Sequence, residues 1–184
     1  MRKFLKDYVN NIEDKIENCN NAIITGSCGT GKTYLCRCFL NDLKNVNIEV
    51  QEKVVNANYD GFDYKPIKRK IKTLIITIYD LISDLRKKYK NEPIDRDYKD
   101  YDLLVIDEVG VQFDTDAERQ VLYDIINYRW ENYKPTFIIS NYKLEDKNNT
   151  SISKVLGMRI TDRLIDGATV INLEGQSWRT RQNG

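Results

Sequence analysis

The eight residues Gly26-Ser27-Cys28-Gly29-Thr30-Gly31-Lys32-Thr33 constrain this chain more than any other feature. They fit G-x-x-x-x-G-K-[ST] at every fixed position, a pattern that works only between a strand and a helix. Glycines let the backbone curl until several N–H groups point at one phosphate, and the helix that follows adds its positive end. Both flanks are legible. Ala22-Ile23-Ile24-Thr25 is a short apolar run ending at glycine, and residues 32–44 read as a helix. Lys32 then reaches β- and γ-phosphates as a mobile charge, and Thr33 offers a hydroxyl to magnesium. At Ser27 and Cys28 the backbone matters more than the side chain. ATP with Mg2+ is the expected ligand.

The rest of the chain repeats the strand–helix rhythm. Phe4, Tyr8, Ile12 and Ile16 recur every four residues, joined by Leu5 and Val9, which predicts one amphipathic helix over 3–17 in an N-terminal segment 1–19. Residues 46–71 hold two β-branched stretches around Tyr59-Asp60-Gly61-Phe62 and suggest a hairpin-like insertion. A strand over 73–78 and a helix over 79–89 follow, with Ile78, Leu81, Ile82 and Leu85 inward and a basic end. Leu103 to Ile106 is a buried strand. Thr115 and Glu118 form a capping box before a helix over 117–131. Thr136 to Ser140 is a strand, 152–165 a helix, and Thr169 to Leu173 a last strand. Apolar strands alternating with helices imply an α/β fold, a parallel sheet of about five strands with helices on both faces. The whole chain, 1–184, reads as a single domain.

Leu103-Leu104-Val105-Ile106 runs into Asp107-Glu108. Carboxylates at the carboxyl tip of a buried strand lie in the crevice where such sheets bind ligands. Alone they could be two solvated acids. Beside a phosphate loop, Asp107 is expected to hold the magnesium shell and Glu108 to orient or deprotonate an attacking water. An acid directly after the strand Asp suggests the additional-strand group of P-loop ATPases, which couple hydrolysis to mechanical or assembly work.

Composition removes several alternatives. The chain has no histidine, which excludes His-based nucleophilic triads and His-liganded metals. Its four cysteines, Cys19, Cys28, Cys36 and Cys38, match no zinc spacing and read as reduced thiols. No segment approaches the roughly 18 apolar residues of a membrane span, and MRKFLKDYVNNIEDKIE lacks the apolar stretch of a signal peptide. A cytoplasmic location without a membrane partner is the expectation. The net charge of +1 conceals an asymmetry: residues 65–90 carry nine basic residues against Asp80 and Asp84. That segment has an excess of seven positive charges, a pointer to a polyanionic partner.

LLVIDEVGVQ (103–112), the helix ending YRW (128–130), KPTFIISN (134–141), LGMRITDRL (156–164) and INLEGQSWRTR (171–181) together resemble the AAA+ ATPase domain of DnaC/DnaI-type bacterial helicase loaders, with IstB-type transposition ATPases next closest. The resemblance covers about 20–184 with a gap near 46–71. It implies an AAA+ P-loop NTPase without a C-terminal lid domain, slow ATP hydrolysis stimulated by assembly or DNA, and homo-oligomers formed through the ATP site. It implies that Asn141 is the polar sensor of the γ-phosphate and that Arg163 is the arginine finger given to a neighbouring subunit, with Arg159 competing. Arg179 would sense nucleotide within its own subunit. The helix over 79–90 would face single-stranded DNA, with Arg86, Lys87, Lys88 and Lys90 for phosphates and Tyr89 for a base. Only about 25 residues precede Gly26, where loaders carry a larger domain that grips the replicative helicase. An isolated ATPase domain or a reduced gene product is therefore expected, and the helicase is the partner least secured. Two further readings stand beside helicase loading: an IstB-like transposition accessory ATPase, and a non-catalytic ATP-dependent mimic of a loader.

Overall fold

The computed structural model describes residues 1–55, 62–90, 92–94, 96–110, 115–147 and 150–178. Five strands form one parallel sheet: β1 (Ala22–Gly26), β4 (Thr73–Thr77), β5 (Leu103–Val109), β6 (Thr136–Ser140) and β7 (Thr169–Leu173), in the order β4-β5-β6-β1-β7. Two more strands, β2 (Asn47–Val55) and β3 (Phe62–Lys70), pair only with each other. The expected five-stranded sheet is present and the two strands of the expected hairpin pair, while its turn at Tyr59-Asp60-Gly61 lies outside the described residues.

Strand alternation divides the core in two. Ile23, Leu104, Ile106 and Ile138 point to one face. There they meet α4 (Ile78–Tyr89), α5 (Asp116–Glu131), α6 (Ile152–Leu156) and α7 (Met158–Ile165). Ala22, Ile24, Leu103, Val105, Phe137 and Ile139 point to the other, against α1 (Arg2–Asn10), α2 (Ile12–Glu17) and α3 (Lys32–Leu43). Successive side chains of a strand face opposite ways, so a strand buried on both sides must be apolar throughout. On the second face Tyr8 stands edge-on to Phe137 at 5.0 Å, and Phe39 stacks on Phe137 at 5.8 Å. These rings fasten α1 over the helix that leaves the phosphate loop. Ile78, Leu81, Ile82 and Leu85 are all buried, as the periodicity of α4 requires.

Three boundaries differ from expectation. The N-terminal helix is two helices, interrupted at Asn11 with φ −122° and ψ 35°. The Asn11 side chain donates to the Asp7 carbonyl and carboxylate, offering the backbone a local alternative to helix. The helix over 152–165 breaks at Gly157, whose φ of +82° ends α6 and starts α7 at a new angle. Strand β5 continues past Ile106 through Val109, so Asp107 and Glu108 lie inside the ladder rather than beyond it. The Glu118 side chain of the expected capping box lies outside the described residues.

Arg129, from the YRW segment, is 0% exposed and hydrogen-bonds to no carboxylate among the described residues. It donates to the carbonyls of Tyr98, Tyr101 and Pro135 and to the Thr136 hydroxyl. Burial pushes its pKa down to about 10. Four acceptors satisfy a charge that would otherwise be costly there. They tie the segment before β5 to the turn before β6.

Candidate active site

The site forms at the carboxyl edge of the sheet, where β1, β5 and β6 end side by side. The phosphate loop leaves β1 at Gly26 and enters α3 at Lys32, with Gly26, Gly29 and Gly31 all at positive φ. Gly26 has no room for anything larger. A Cβ there would sit 2.2 Å from the Leu173 carbonyl oxygen of β7.

Lys32 is 6% exposed, and burial lowers its pKa while Cys28 and Asp107 oppose the shift. Its ammonium donates to the Gly26 carbonyl at 2.7 Å, the Ser27 carbonyl at 2.8 Å and Asn141 Oδ1 at 2.9 Å. The amide of Asn141, just past β6, thus meets the loop lysine across 109 residues of sequence. Thr30 closes the loop by donating its hydroxyl to the Ser27 carbonyl. Asp107 is 5% exposed and accepts the Glu108 N–H at 2.8 Å. Glu108 is exposed and adopts φ +60°. The β5–β6 register shifts between Ile106 and Val109 at this point. A bulge next to a crevice re-aims one side chain. Here it turns Asp107 inward and Glu108 outward, and a left-handed non-glycine residue of this kind costs on the order of 1–3 kcal/mol. Ser140 donates its hydroxyl to the Val109 carbonyl and fixes the two strand ends together.

These groups line one crevice of about 420 Å³. Lys32, Thr33, Asp107, Glu108 and Asn141 all border it, as do three side chains that sequence reasoning missed: Tyr34, Arg37 and Trp178. Trp178 donates its backbone N–H to the Gly29 carbonyl at 2.9 Å, which lays the segment after β7 across the phosphate loop. Ser177 packs so closely that a Cβ on Gly29 would meet its Oγ at 2.0 Å. The same triplet, Ser177-Trp178-Arg179, carries both the aromatic and the arginine.

Other expected residues lie elsewhere. Arg163 is engaged within its own subunit: it donates to Asn127 at 3.2 Å and to Asp162 at 2.8 Å, and lies 4.3 Å over the Trp130 ring. Arg159, one turn earlier on α7, is exposed. Arg179 and the side chains of Lys88 and Tyr89 lie outside the described residues. Lys87 pairs with Asp84 at 3.4 Å. Within the second basic run, Arg69 is spent on Asp102 in a bidentate pair at 2.7 and 2.8 Å, and Lys72 pairs with Asp100 at 2.7 Å. The charge excess read from the sequence therefore overstates what is free to meet a polyanion.

Residues 61–184 match the family model described as IstB-like ATP binding protein. The chain belongs to that family. It is similar to the replicative helicase loader DnaC of Escherichia coli, 27% identical over 179 residues that make up 94% of this chain and 62% of DnaC. An insertion-sequence ATP-binding protein of Bacillus thuringiensis is 25% identical over 171 residues, 91% of this chain and 59% of that protein. The chain thus spans somewhat under two thirds of the length of these curated relatives. Among solved structures, the DnaC helicase loader superposes with a TM-score of 0.66 at 22% identity, covering 93% of this chain and 86% of that one. AMPPCP-bound DnaA from Aquifex aeolicus gives 0.65 at 18% identity, covering 96% and 47%. The fold is that of an AAA+ P-loop NTPase, with β1 and its loop between β6 and the edge strand β7 of the parallel sheet. Family membership makes this an ATP-binding protein of the IstB-like group. Among the described residues, no helix is long and apolar enough to cross a membrane.

Proposed function

We propose that this chain is a Mg-ATP-dependent ATPase of the helicase-loader kind, which binds single-stranded DNA, assembles with like subunits in the cytoplasm and assists loading of a replicative helicase. One observation carries the ATPase reading: Lys32, Asp107, Glu108 and Asn141 come from three separate strand ends and border one crevice. The replication reading rests on the relatives named as helicase loaders.

In this reading a γ-phosphate competes with the Gly26 and Ser27 carbonyls for the Lys32 ammonium, and Asn141, already bonded to that ammonium, contacts the same phosphate. Asp107 and the Thr33 hydroxyl suit magnesium, which takes oxygen ligands and keeps few protein ones. Nucleotide phosphates and waters would complete its shell. Magnesium, when bound, neutralises charge developing on the transferred phosphoryl group. Glu108, turned outward by the bulge, takes the proton of the attacking water or orients it. An arginine of α7 serves the neighbouring subunit's ATP. The resemblance favours Arg163, but its engagement with Asn127, Asp162 and Trp130 favours the exposed Arg159. Arg179 remains the candidate for sensing nucleotide within the subunit.

Titration with a fluorescent ATP analogue, paired with phosphate release, tests the core of this. Lys32→Ala is expected to lose detectable nucleotide affinity. Glu108→Gln is expected to keep affinity and lose about 10²-fold or more in turnover. Tight binding by Lys32→Ala would overturn the site. The insertion-sequence relative and the family match favour a second reading, an accessory ATPase acting on duplex DNA with a transposase. Helicase pull-down, with single-stranded and duplex DNA in competition, separates the two.

A further inference from the structure

The β2–β3 hairpin is the region that the active site does not use. Its strands pair in register from Asn47↔Lys70 to Val55↔Phe62, an arm about 30 Å long at ordinary strand rise. Its base is anchored. Ile48 is buried with Leu5, Tyr8 and Ile12, the Glu49 N–H donates to the Glu13 carboxylate, and Arg69 holds Asp102. Residues directly opposite in an antiparallel pair share a face. One face therefore carries Lys53 opposite Tyr64, Gln51 opposite Pro66, Glu49 opposite Lys68 and Asn47 opposite Lys70, with Phe62 beyond. Phe62 is 53% exposed and Tyr64 is 65% exposed, and Lys53, Lys68 and Lys70 are exposed among them. The Lys53 ammonium sits 3.7 Å over the Phe62 ring. Glu49 is the one acid on this face.

We infer that this outer face of the hairpin, centred on Tyr64, Phe62, Lys53, Lys68 and Lys70, is a binding surface for single-stranded nucleic acid. The inference rests on the reading of the protein as a DNA-binding ATPase and relocates the contact from helix α4 to the arm. Lysines at strand spacing meet phosphates, and exposed rings offer a platform on which any base can stack. A duplex keeps its base faces stacked on each other, so the rings select the single strand. The basic end of α4 is the weaker candidate because Lys87 is already paired with Asp84. The arm also joins β4 at Thr73, the end of the strand away from Thr77 and the nucleotide edge. Substitutions on it should therefore leave ATP binding intact.

Fluorescence anisotropy of a labelled thymidine oligomer, read with ATP present over a series of salt concentrations, tests this. Tyr64→Ala is expected to weaken single-strand binding about tenfold with little change in salt slope. The triple variant Lys53→Gln, Lys68→Gln, Lys70→Gln is expected to lower the log–log salt slope by about 2. Both should keep the melting temperature and ATP affinity of the unaltered chain. Hairpin variants that bind DNA normally, while Lys87→Gln with Lys90→Gln loses it, would overturn the inference and leave the DNA-binding reading standing. An equal loss for single-stranded and duplex DNA on Tyr64→Ala would also overturn it, since stacking would then have no part. So would a change in sedimentation, rather than in DNA affinity, which would make the face a contact between copies. An unaltered chain that binds no DNA in either form removes the reading and the inference together.

Discussion

The carboxyl edge of the sheet and the β2–β3 arm use similar residues to opposite ends. At the edge, Lys32 is buried, all three of its donors are used, and its partners come from β1 and from beyond β6. On the arm, Lys53, Lys68 and Lys70 are exposed, their cross-strand partners come from the same hairpin, and Lys70 also donates to Asn45 at 3.4 Å. A charge that must act on one phosphorus atom has to be held still in a site with little water, where electrostatic effects are large. A charge that tracks a flexible polyanion gains from mobility and solvent, and tolerates substitution. Rings divide in the same way: Tyr8 and Phe137 are locked edge-to-face in the core, whereas Tyr64 stands in solvent.

That contrast can be broken in three places. The largest effect is expected at the boundary between subunits, which neither region describes alone. If α7 donates a finger in trans, Arg159→Ala lowers turnover by about 10³-fold. Mixing it with Lys32→Ala then restores activity, since each subunit keeps the half the other lacks. Rescue by Arg163→Ala instead would assign the finger to the engaged arginine, and rescue by neither would refute the trans arrangement.

A smaller effect separates the two regions by stability. Gly26→Ala adds one methyl group, yet at φ +140° and 2.2 Å from the Leu173 carbonyl it has nowhere to go. Urea unfolding should show a loss of about 3 kcal/mol, through overpacking and backbone strain. Tyr64→Ala removes a whole ring from the arm and should stay within about 0.5 kcal/mol of the unaltered chain, as exposed positions usually do. Comparable losses at the two positions would mean that the arm is part of the cooperative core.

The smallest effect concerns the strap across the phosphate loop. Trp178→Ala removes the aromatic wall beside Gly31 while sparing Lys32 and Asp107. Nucleotide affinity is expected to fall several-fold with turnover at saturation nearly unchanged, the pattern of lost uniform binding. A drop in saturated turnover instead would give the strap a part in the chemical step.

Much of this molecule is readable from local chemistry. The glycine spacing of 26–33 selects a tightly curled loop, the uninterrupted apolar run Leu103 to Ile106 requires a strand buried on both faces, and the four-residue recurrence in α4 names its inward side. Those signals lie within a few residues, and the backbone states they select are few. What the tertiary structure decided depends on groups far apart in the chain. Asn141 on Lys32, Trp178 over Gly29, Arg69 on Asp102 and Arg163 beside Trp130 are separated by 109, 149, 33 and 33 residues. Whether an arginine is free or spent, and whether an acid faces the crevice or the sheet, follows from which strand end lands beside it. That depends on the order β4-β5-β6-β1-β7 and on a bulge at Glu108, neither of which leaves a local mark. Local propensity selects elements, but the charge each side chain meets is set by packing across the sheet.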